Sequence, residues 1–216
     1  MQHTTFHAFC IAAPRSGEGK TTVSYQLALS FARHGRRALL VDCDLRNPSV
    51  QKLAGRPVQA GLTEYLAGAA KPGQIVTALG KDKPDVIFAG RRASTQTESL
   101  GSEAFRALMN TMRETYDFIV LDTPPCSLMT DAMEAGAAAD CALLVVRQDF
   151  SSRASVVNSL AALDEYGVPV LGYALNACRR SGRSGYGYGY GYGYGYGCGY
   201  GYGYGYGERR GKNGAD

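Results

Sequence analysis

Short, almost purely apolar runs alternate with amphipathic stretches along the first 177 residues of the chain. The apolar runs predict strands, and the stretches with apolar residues every three or four positions predict helices. Because strands of this kind must be buried on both faces, we predict an α/β fold, with a mostly parallel sheet and helices on both faces. The predicted strands are 6–13, 37–43, 85–88, 117–121, 141–146 and 170–175, and the predicted helices are 20–34, 50–53, 61–66, 101–116 and 151–166.

The pattern changes near the C-terminal end, in Gly185–Gly207. Glycine occupies every odd position there, and tyrosine occupies every even position except Cys198. A segment so rich in glycine and without aliphatic residues cannot offset its ordering entropy with a packed core. We therefore predict one folded domain over residues 1–177 and a disordered Tyr/Gly-rich tail over residues 178–216. An adhesive low-complexity segment is the alternative to a tail that is chemically modified.

Composition and charge argue against a nucleic-acid-binding, membrane-spanning or secreted protein. The chain has 216 residues, 45% of them hydrophobic, and a formal net charge of only +4. Dedicated nucleic-acid binders concentrate basic residues on one face, so no nucleic-acid partner is expected. The chain has neither a run of apolar residues long enough to span a membrane nor the pattern of a secretory signal. We expect a cytoplasmic protein whose cysteines are mainly buried free thiols.

A candidate phosphate-binding loop lies between the first predicted strand and helix, in Ala13–Thr22 (APRSGEGKTT). Small residues let backbone N–H groups turn toward an anion, and the N-terminus of the following helix faces the same point. Lys20 suits the β- and γ-phosphates of a nucleotide, and the Thr21 hydroxyl suits Mg²⁺. The strict pattern has glycine where Pro14 stands, so the sequence indicates a variant P-loop.

Acidic residues follow two other predicted strands. Residues two apart on a strand share a face, so Asp42 and Asp44 are predicted to point together toward the phosphate loop. Paired carboxylates there suit Mg²⁺ binding through water, or acceptance of a proton from an attacking hydroxyl. A third strand, in FIVLDTPP, ends in Asp122, which is the Walker B arrangement that holds the hydration shell of Mg²⁺.

The motifs GEGKTT, LLVDCDLRNP and FIVLDTPP, followed by a tyrosine-rich C-terminus, resemble those of the bacterial tyrosine kinases of capsule and exopolysaccharide synthesis. In that family the three motifs are called Walker A, Walker A′ and Walker B, and the cofactors are ATP and Mg²⁺. The resemblance assigns nucleotide binding to Ser16, Gly17, Glu18, Gly19, Lys20, Thr21, Thr22 and Asn176, metal binding to Thr21, Asp42 and Asp122, and catalysis to Lys20, Asp42, Asp44 and Asp122. Asn176 matches a position that contacts adenine in related ATPases.

The same resemblance implies a protein-tyrosine autokinase that phosphorylates its own tail or that of a neighbouring subunit. It implies control of exopolysaccharide or capsule polymerisation and export. The implied partners are a membrane-anchored activator or polysaccharide co-polymerase, a cognate tyrosine phosphatase and further copies of the chain, with attachment to the inner face of the membrane through a partner. The candidate phospho-acceptors are Tyr186, Tyr188, Tyr190, Tyr192, Tyr194, Tyr196, Tyr200, Tyr202, Tyr204 and Tyr206.

The sequence leaves open the identity of the proton acceptor and two alternatives to a tyrosine kinase. Either Asp42 or Asp44 accepts the tyrosine proton, and family analogy favours Asp42. An ATP-dependent switch like the partition and septum-site ATPases shares the predicted fold, although those proteins carry a signature lysine where this chain has Arg15. A pseudokinase scaffold that only binds nucleotide is the third possibility, against which the intact aspartates argue.

Overall fold

Seven strands form one sheet in the described part of the chain, which is residues 6–55, 60–91, 100–126 and 130–179 of a computed structural model. The strand order is β3-β4-β2-β5-β1-β6-β7. All neighbouring pairs are parallel except β3 and β4. The elements in chain order are β1 Ala8–Ala12, α1 Lys20–Arg33, β2 Ala38–Asp42, α2 Val50–Ala54, α3 Leu62–Leu66, α4 Pro72–Ile75, β3 Val76–Ala78, β4 Asp85–Ile87, α5 Glu103–Thr115, β5 Phe118–Asp122, α6 Asp131–Ala137, β6 Cys141–Arg147, α7 Arg153–Glu165 and β7 Val170–Asn176.

Helices cover both faces of the sheet, as predicted. Ile11 and Val120 of the central strands pack with Ala28 of α1 on one face. On the other face, alternate residues of the same and neighbouring strands pack against α5, α6 and α7. Central strands that are buried on both sides explain why their sequences are apolar at nearly every position.

Helix α1 approaches the sheet through small residues. Ser24, Ala28, Leu29 and Ala32 are its buried residues after the first turn, and all but Leu29 are small. Val23, Leu27 and Phe31, whose spacing in the sequence predicts one face of the helix, are only partly buried. Small side chains let the helix backbone come close to the strands, while larger residues pack at the margin. This close approach matters for the site, because it brings the Ser24 hydroxyl to the tip of β5.

Three parts of the fold were not predicted from the sequence. Helix α4 has four residues, the edge strand β3 has three residues and pairs antiparallel with β4, and α6 is an alanine- and glycine-rich helix of seven residues. None of these segments is long enough to show a clear hydrophobic period. The spacing of Phe105, Leu108 and Met112 in the sequence predicts the inner face of α5, and this prediction is confirmed because all three residues are buried.

Residues Met1–Arg179 form one compact unit. Residues 180–216, which include nearly all of the predicted tail and every candidate phospho-acceptor, lie outside the described residues. The longest helix in the described part of the chain, α1, has 14 residues. None of the described helices is both long enough and apolar enough to cross a bilayer.

Candidate active site

The loop between β1 and α1 has the backbone shape expected of a phosphate cradle. Gly17 and Gly19 have φ angles of 81° and 94°, a left-handed conformation that glycine adopts at little energetic cost. Gly19 is also constrained by packing, since a Cβ atom there would lie 2.1 Å from Nδ2 of Asn176. The backbone conformation therefore favours glycine at position 19, and a larger residue would also displace the Asn176 amide.

Lys20 is the first residue of α1, and its side chain returns to the loop. Only 7% of the residue is exposed, and its Nζ donates a hydrogen bond to the carbonyl oxygen of Arg15 at 3.3 Å. Burial lowers the pKa of Lys20, an effect that the nearby Asp122 carboxylate opposes. The ammonium group is thus held beside the loop and next to an acidic side chain.

Asp122, at the tip of β5, has one satisfied and one unsatisfied oxygen. Its Oδ1 accepts a hydrogen bond from Ser24 Oγ at 2.9 Å, whereas the buried Oδ2 has no partner among the described residues. Burial raises the pKa of Asp122 to about 6, and the nearby Thr21 and Ser24 hydroxyls and Lys20 oppose that rise. Buried carboxylate oxygens are normally paired, so an unpaired one indicates a place for a ligand.

Asp42 lies directly opposite Asp122 in the register of β2 and β5. The residue is fully buried, and its two oxygens accept the backbone N–H groups of Asp44 and Val50, each at 3.2 Å. Burial, reinforced by the Asp122 carboxylate, raises the pKa of Asp42 to about 8. Asp42 is therefore a neighbour of the cleft whose oxygens are already engaged by the backbone.

Asp44 occupies a different environment from Asp42. Strand β2 ends at Asp42, so the strand alternation that predicted a shared face does not extend to Asp44. Asp44 is half-buried and lines the cleft, and its Oδ1 accepts the N–H of Asn47 at 2.9 Å. Burial raises its pKa, while this hydrogen bond and Lys20 act in the opposite direction.

A cleft of about 250 Å³ opens where these residues meet. The Thr21 hydroxyl lies at its wall and forms a hydrogen bond with Ser49 Oγ at 2.8 Å. No role was assigned to Asn47, Ser49 or Pro125 from the sequence, although Asn47 and Pro125 lie within the quoted motifs and Ser49 directly follows the first of them. The lining residues are Ser16, Gly17, Gly19, Lys20, Thr21, Thr22, Asp44, Asn47, Ser49 and Pro125.

The donor set fits a magnesium nucleotide better than a metal bound by protein alone. No group of three or more His, Cys, Asp or Glu side chains in the described ranges is arranged to hold a metal ion by itself. Mg²⁺ usually takes only one or two protein ligands and completes its shell with water and substrate phosphates. The Thr21 hydroxyl and the unpaired Oδ2 of Asp122 suit that kind of site.

On the side of β6 and β7, the loop is contacted by one neutral and one basic side chain. Asn176 Nδ2 donates to the carbonyl oxygen of Glu18 at 2.8 Å, and Arg147 Nη1 donates to that of Gly17 at 2.8 Å. Asn176 therefore contacts the phosphate loop itself, and its predicted contact with adenine stays a prediction. Arg147 was not found from the sequence, because no spacing rule links the end of β6 to a loop far away in the chain.

Comparison with known proteins places this fold and these motifs in a family. A family model described as AAA domain matches residues 7–165. The tyrosine-protein kinase CpsD of Streptococcus agalactiae is 33% identical over 174 residues, which are 79% of this chain and 75% of that protein. The chain belongs to the bacterial tyrosine kinase family. This confirms the resemblance that the three Walker motifs indicated.

Solved structures agree with this family assignment. The kinase domain of the Escherichia coli tyrosine kinase ETK superposes with a TM-score of 0.79 and 30% identity, covering 88% of this chain and 74% of that one. The septum site-determining protein MinD of Pyrococcus horikoshii, solved with Mg-ADP, superposes with a TM-score of 0.69 and 26% identity, covering 82% and 72%. The P-loop ATPase fold is therefore shared beyond the kinases, while the curated relatives favour the kinase family.

The chain is much shorter than some family members. It matches the Escherichia coli tyrosine-protein kinase etk with 31% identity over 186 residues, which are 86% of this chain but only 26% of that protein. The chain thus spans about a quarter of that relative and corresponds to its kinase part.

Proposed function

We propose that the protein is an ATP-dependent protein-tyrosine autokinase. The supporting observation is a cleft lined by Lys20 and Thr21, with the buried carboxylate of Asp122, one oxygen of which is unpaired among the described residues, close behind Lys20. Membership of the bacterial tyrosine kinase family supports phosphoryl transfer to tyrosine rather than hydrolysis alone. An ATPase switch of the septum-site type is supported by the shared fold only.

In this proposal the loop from Ser16 to Thr22 binds the phosphates of ATP. Its inward N–H groups and the N-terminus of α1 supply partial positive charge, and Lys20 supplies a full one. Thr21 and Asp122, with Asp42 behind them, would hold Mg²⁺, which neutralises phosphate charge when it is bound. Asn176, which contacts the loop, would lie near the adenine of ATP.

The reaction transfers one phosphoryl group. The tyrosine oxygen forms a bond to the γ-phosphorus, the bond to the β-phosphate oxygen breaks, and ADP leaves with the bonding electron pair. A carboxylate accepts the tyrosine proton. Asp42 and Asp44 both remain candidates, but Asp44 lines the cleft, whereas Asp42 does not line it and both of its oxygens accept backbone N–H groups. We therefore assign the proton acceptor to Asp44 and a supporting role to Asp42.

The proposed acceptors are the tail tyrosines between Tyr186 and Tyr206. Each phosphate adds about −1.5 to −2 charges, so modification of a few tyrosines outweighs the formal net charge of +4. Such a change suits a switch that loosens an assembly of several copies. The proposed setting is a complex with a membrane-anchored activator, reversed by a cognate tyrosine phosphatase, that controls exopolysaccharide or capsule polymerisation and export.

The first experiment uses Lys20→Met, with Lys83→Met as an exposed control. The purified full chain is incubated with ATP and Mg²⁺, with and without an activator fragment, and phosphotyrosine is measured by immunoblot and mass spectrometry. We expect the initial rate to fall at least about 100-fold in Lys20→Met, since one phosphate-binding charge in a site of this type contributes several kcal/mol. Lys83→Met should match the wild type.

Two results would contradict this function. One is ATP hydrolysis by the wild type without any phosphotyrosine, which would support the ATPase switch instead. The other is phosphotyrosine at equal rates in Lys20→Met and the wild type, which would place the activity elsewhere. Phosphotyrosine confined to residues outside Tyr186–Tyr206 would contradict the tail as acceptor while leaving the kinase activity in place.

A further inference from the structure

Two residues outside the assigned kinase motifs, Arg147 and Ser151, join Glu18 and Asn176 in a group of side chains that holds the phosphate loop from behind. We call Glu18, Arg147, Ser151 and Asn176 the loop clamp. Arg147 Nη1 and Asn176 Nδ2 donate to the successive carbonyl oxygens of Gly17 and Glu18, each at 2.8 Å. Two neighbouring peptide groups of the loop are therefore fixed by side chains from the carboxyl ends of β6 and β7.

The position of these two donors follows from the sheet register. Arg147 and Asn176 are partners in the parallel pairing of β6 and β7, at the carboxyl ends of both strands. Partners in register place their side chains on the same face of a sheet. The two side chains therefore leave the sheet together and reach adjacent carbonyl groups of one loop.

The Glu18 side chain anchors the loop a second time. The residue is fully buried, and its carboxylate accepts the N–H of Arg15 at 3.0 Å and the hydroxyl of Ser151 at 2.6 Å. Ser151 Oγ in turn accepts the N–H of Arg147 at 2.8 Å. One buried carboxylate thus links the start of the loop to the turn that follows β6.

Orientation of the peptide groups gives the clamp its role. A phosphate cradle works only if N–H groups point inward, so the carbonyl oxygens of the same segment must point outward and find donors. Arg147 and Asn176 are those donors for Gly17 and Glu18. The Arg147 guanidinium also lies over the Phe150 ring, 5.1 Å from its centroid, which restrains the arginine in this position.

We infer that the loop clamp holds the phosphate loop in its binding shape, and that Arg147 and Ser151 are positioning residues for nucleotide. They act through the Gly17 carbonyl and the Glu18 carboxylate rather than by touching the phosphates. The inference rests on the proposed function only in requiring that the loop binds a nucleotide.

The test compares Arg147→Ala and Arg147→Lys with Arg153→Ala, an exposed arginine on α7 outside the clamp. Isothermal titration calorimetry gives the Kd for Mg-ADP, and phosphotyrosine formation gives kcat and the KM for ATP. We expect both Kd and KM to rise about tenfold in Arg147→Ala, because a charged hydrogen bond to the loop is lost, while kcat stays within about twofold. Arg147→Lys keeps a charged donor and should recover most of the affinity, and Arg153→Ala should match the wild type.

Urea unfolding of each ligand-free variant separates positioning from general stability. The inference predicts that the unfolding midpoint of Arg147→Ala matches that of Arg153→Ala although the nucleotide affinity differs. Mg-ADP affinity of Arg147→Ala within twofold of the wild type, or a loss of affinity that only follows a loss of stability, overturns it. If Arg147→Ala does not fold, Ser151→Ala serves for the same comparison.

The two proposals fail in different ways. A wild-type protein that binds Mg-ADP but forms no phosphotyrosine contradicts the kinase activity, and the affinity comparison still decides the role of the clamp. If the wild type forms phosphotyrosine, but the Kd for Mg-ADP and the KM for ATP are unchanged in the Arg147 and Ser151 variants, the role of the clamp is contradicted and the kinase activity is not.

Discussion

The two sides of the phosphate loop differ in how fully their polar side chains are hydrogen-bonded. On the side of β2 and β5, three carboxylates have a raised pKa, and one buried oxygen of Asp122 has no partner in the described part of the chain. On the side of β6 and β7, the clamp groups donate to or accept from the loop at 2.6 to 3.0 Å. Unsatisfied charge marks the side prepared for a ligand, and satisfied hydrogen bonds mark the side that shapes the loop.

The largest effect is expected on the acidic side, from Asp122→Asn. The asparagine retains an oxygen for the Ser24 hydroxyl but removes the buried negative charge beside Lys20. We expect the rate of phosphotyrosine formation to fall about 100-fold, equivalent to about 3 kcal/mol of transition-state stabilisation. An unchanged rate would show that the unpaired oxygen of Asp122 has no part in the reaction.

Asp122→Asn is also expected to raise the stability of the ligand-free protein at neutral and alkaline pH, although it lowers activity. Because the folded-state pKa of Asp122 is raised to about 6 from 3.8, the folded protein binds this proton more tightly than the unfolded chain. The free energy of unfolding should therefore fall as pH rises from about 4 to about 6 and then level off for this group. Asp42, with a pKa of about 8, extends the decline toward pH 8 in the wild type, and less far in Asp122→Asn, because the Asp122 carboxylate that reinforces the rise is then absent.

Urea unfolding of the ligand-free protein between pH 4.5 and 8 measures this difference. At pH 8, Asp122→Asn should be more stable than the wild type by about 1 to 3 kcal/mol, since the buried charge is absent. Near pH 4.5 the difference should be small. Asp164→Asn, an exposed carboxylate on α7, is the control and should leave the pH profile unchanged; a destabilised Asp122→Asn at pH 8 would show that the carboxylate is satisfied in the free protein.

A smaller effect is expected where the clamp meets the loop, from Gly19→Ala. Alanine at a φ of 94° is strained, and its Cβ would overlap the Asn176 amide. We expect Mg-ADP affinity to fall about tenfold and stability to fall by about 1 to 3 kcal/mol. Gly35→Ala has a comparable φ of 73° with nothing within 4 Å, so it should lower stability without changing nucleotide affinity.

A double variant separates backbone strain at position 19 from steric overlap with Asn176 as the cause of the lost affinity. Gly19→Ala with Asn176→Ala removes the overlap, but it leaves the backbone strain and deprives the Glu18 carbonyl of its donor. We expect the double variant to bind nucleotide no better than Gly19→Ala. Restored affinity in calorimetry would mean that steric overlap alone disturbs the loop and that the Asn176 hydrogen bond contributes little.

The smallest effect is expected from Ser151→Ala on the clamp side. The Glu18 carboxylate loses one of its two hydrogen bonds but keeps the N–H of Arg15. We expect about a threefold rise in the Kd for Mg-ADP, within the range of one ordinary hydrogen bond. Its neighbour Ser152 caps α7 by accepting the N–H of Ser155, so Ser152→Ala should lower stability and leave the affinity unchanged; equal affinities in both variants would count against the clamp.

Prediction from sequence succeeded where one short segment carries its own signal. The strand–loop–helix unit was predicted as 6–13 and 20–34, and the structure has Ala8–Ala12 and Lys20–Arg33. Hydrophobic periodicity and glycine at fixed positions sufficed there, because both depend on local backbone geometry. The inner face of α5 was found in the same way.

Prediction was less complete where a side chain's surroundings come from distant segments. Asp42 and Asp44 were predicted to share a face, but β2 ends between them, and only Asp44 lines the cleft. Arg147 and Ser151 carry no motif of their own. They reach the loop because β6 lies beside β1 and because the register places Arg147 level with Asn176.

The amino-acid sequence by itself determined the alternation of strands and helices, the phosphate loop and the identity of the charged groups at the strand ends. These properties follow from local spacing, which one stretch of chain is enough to define. Only the tertiary structure decided which charges are buried without partners and which side chains hold the loop, because burial and hydrogen bonding depend on strand order and register between segments 98 to 133 residues apart.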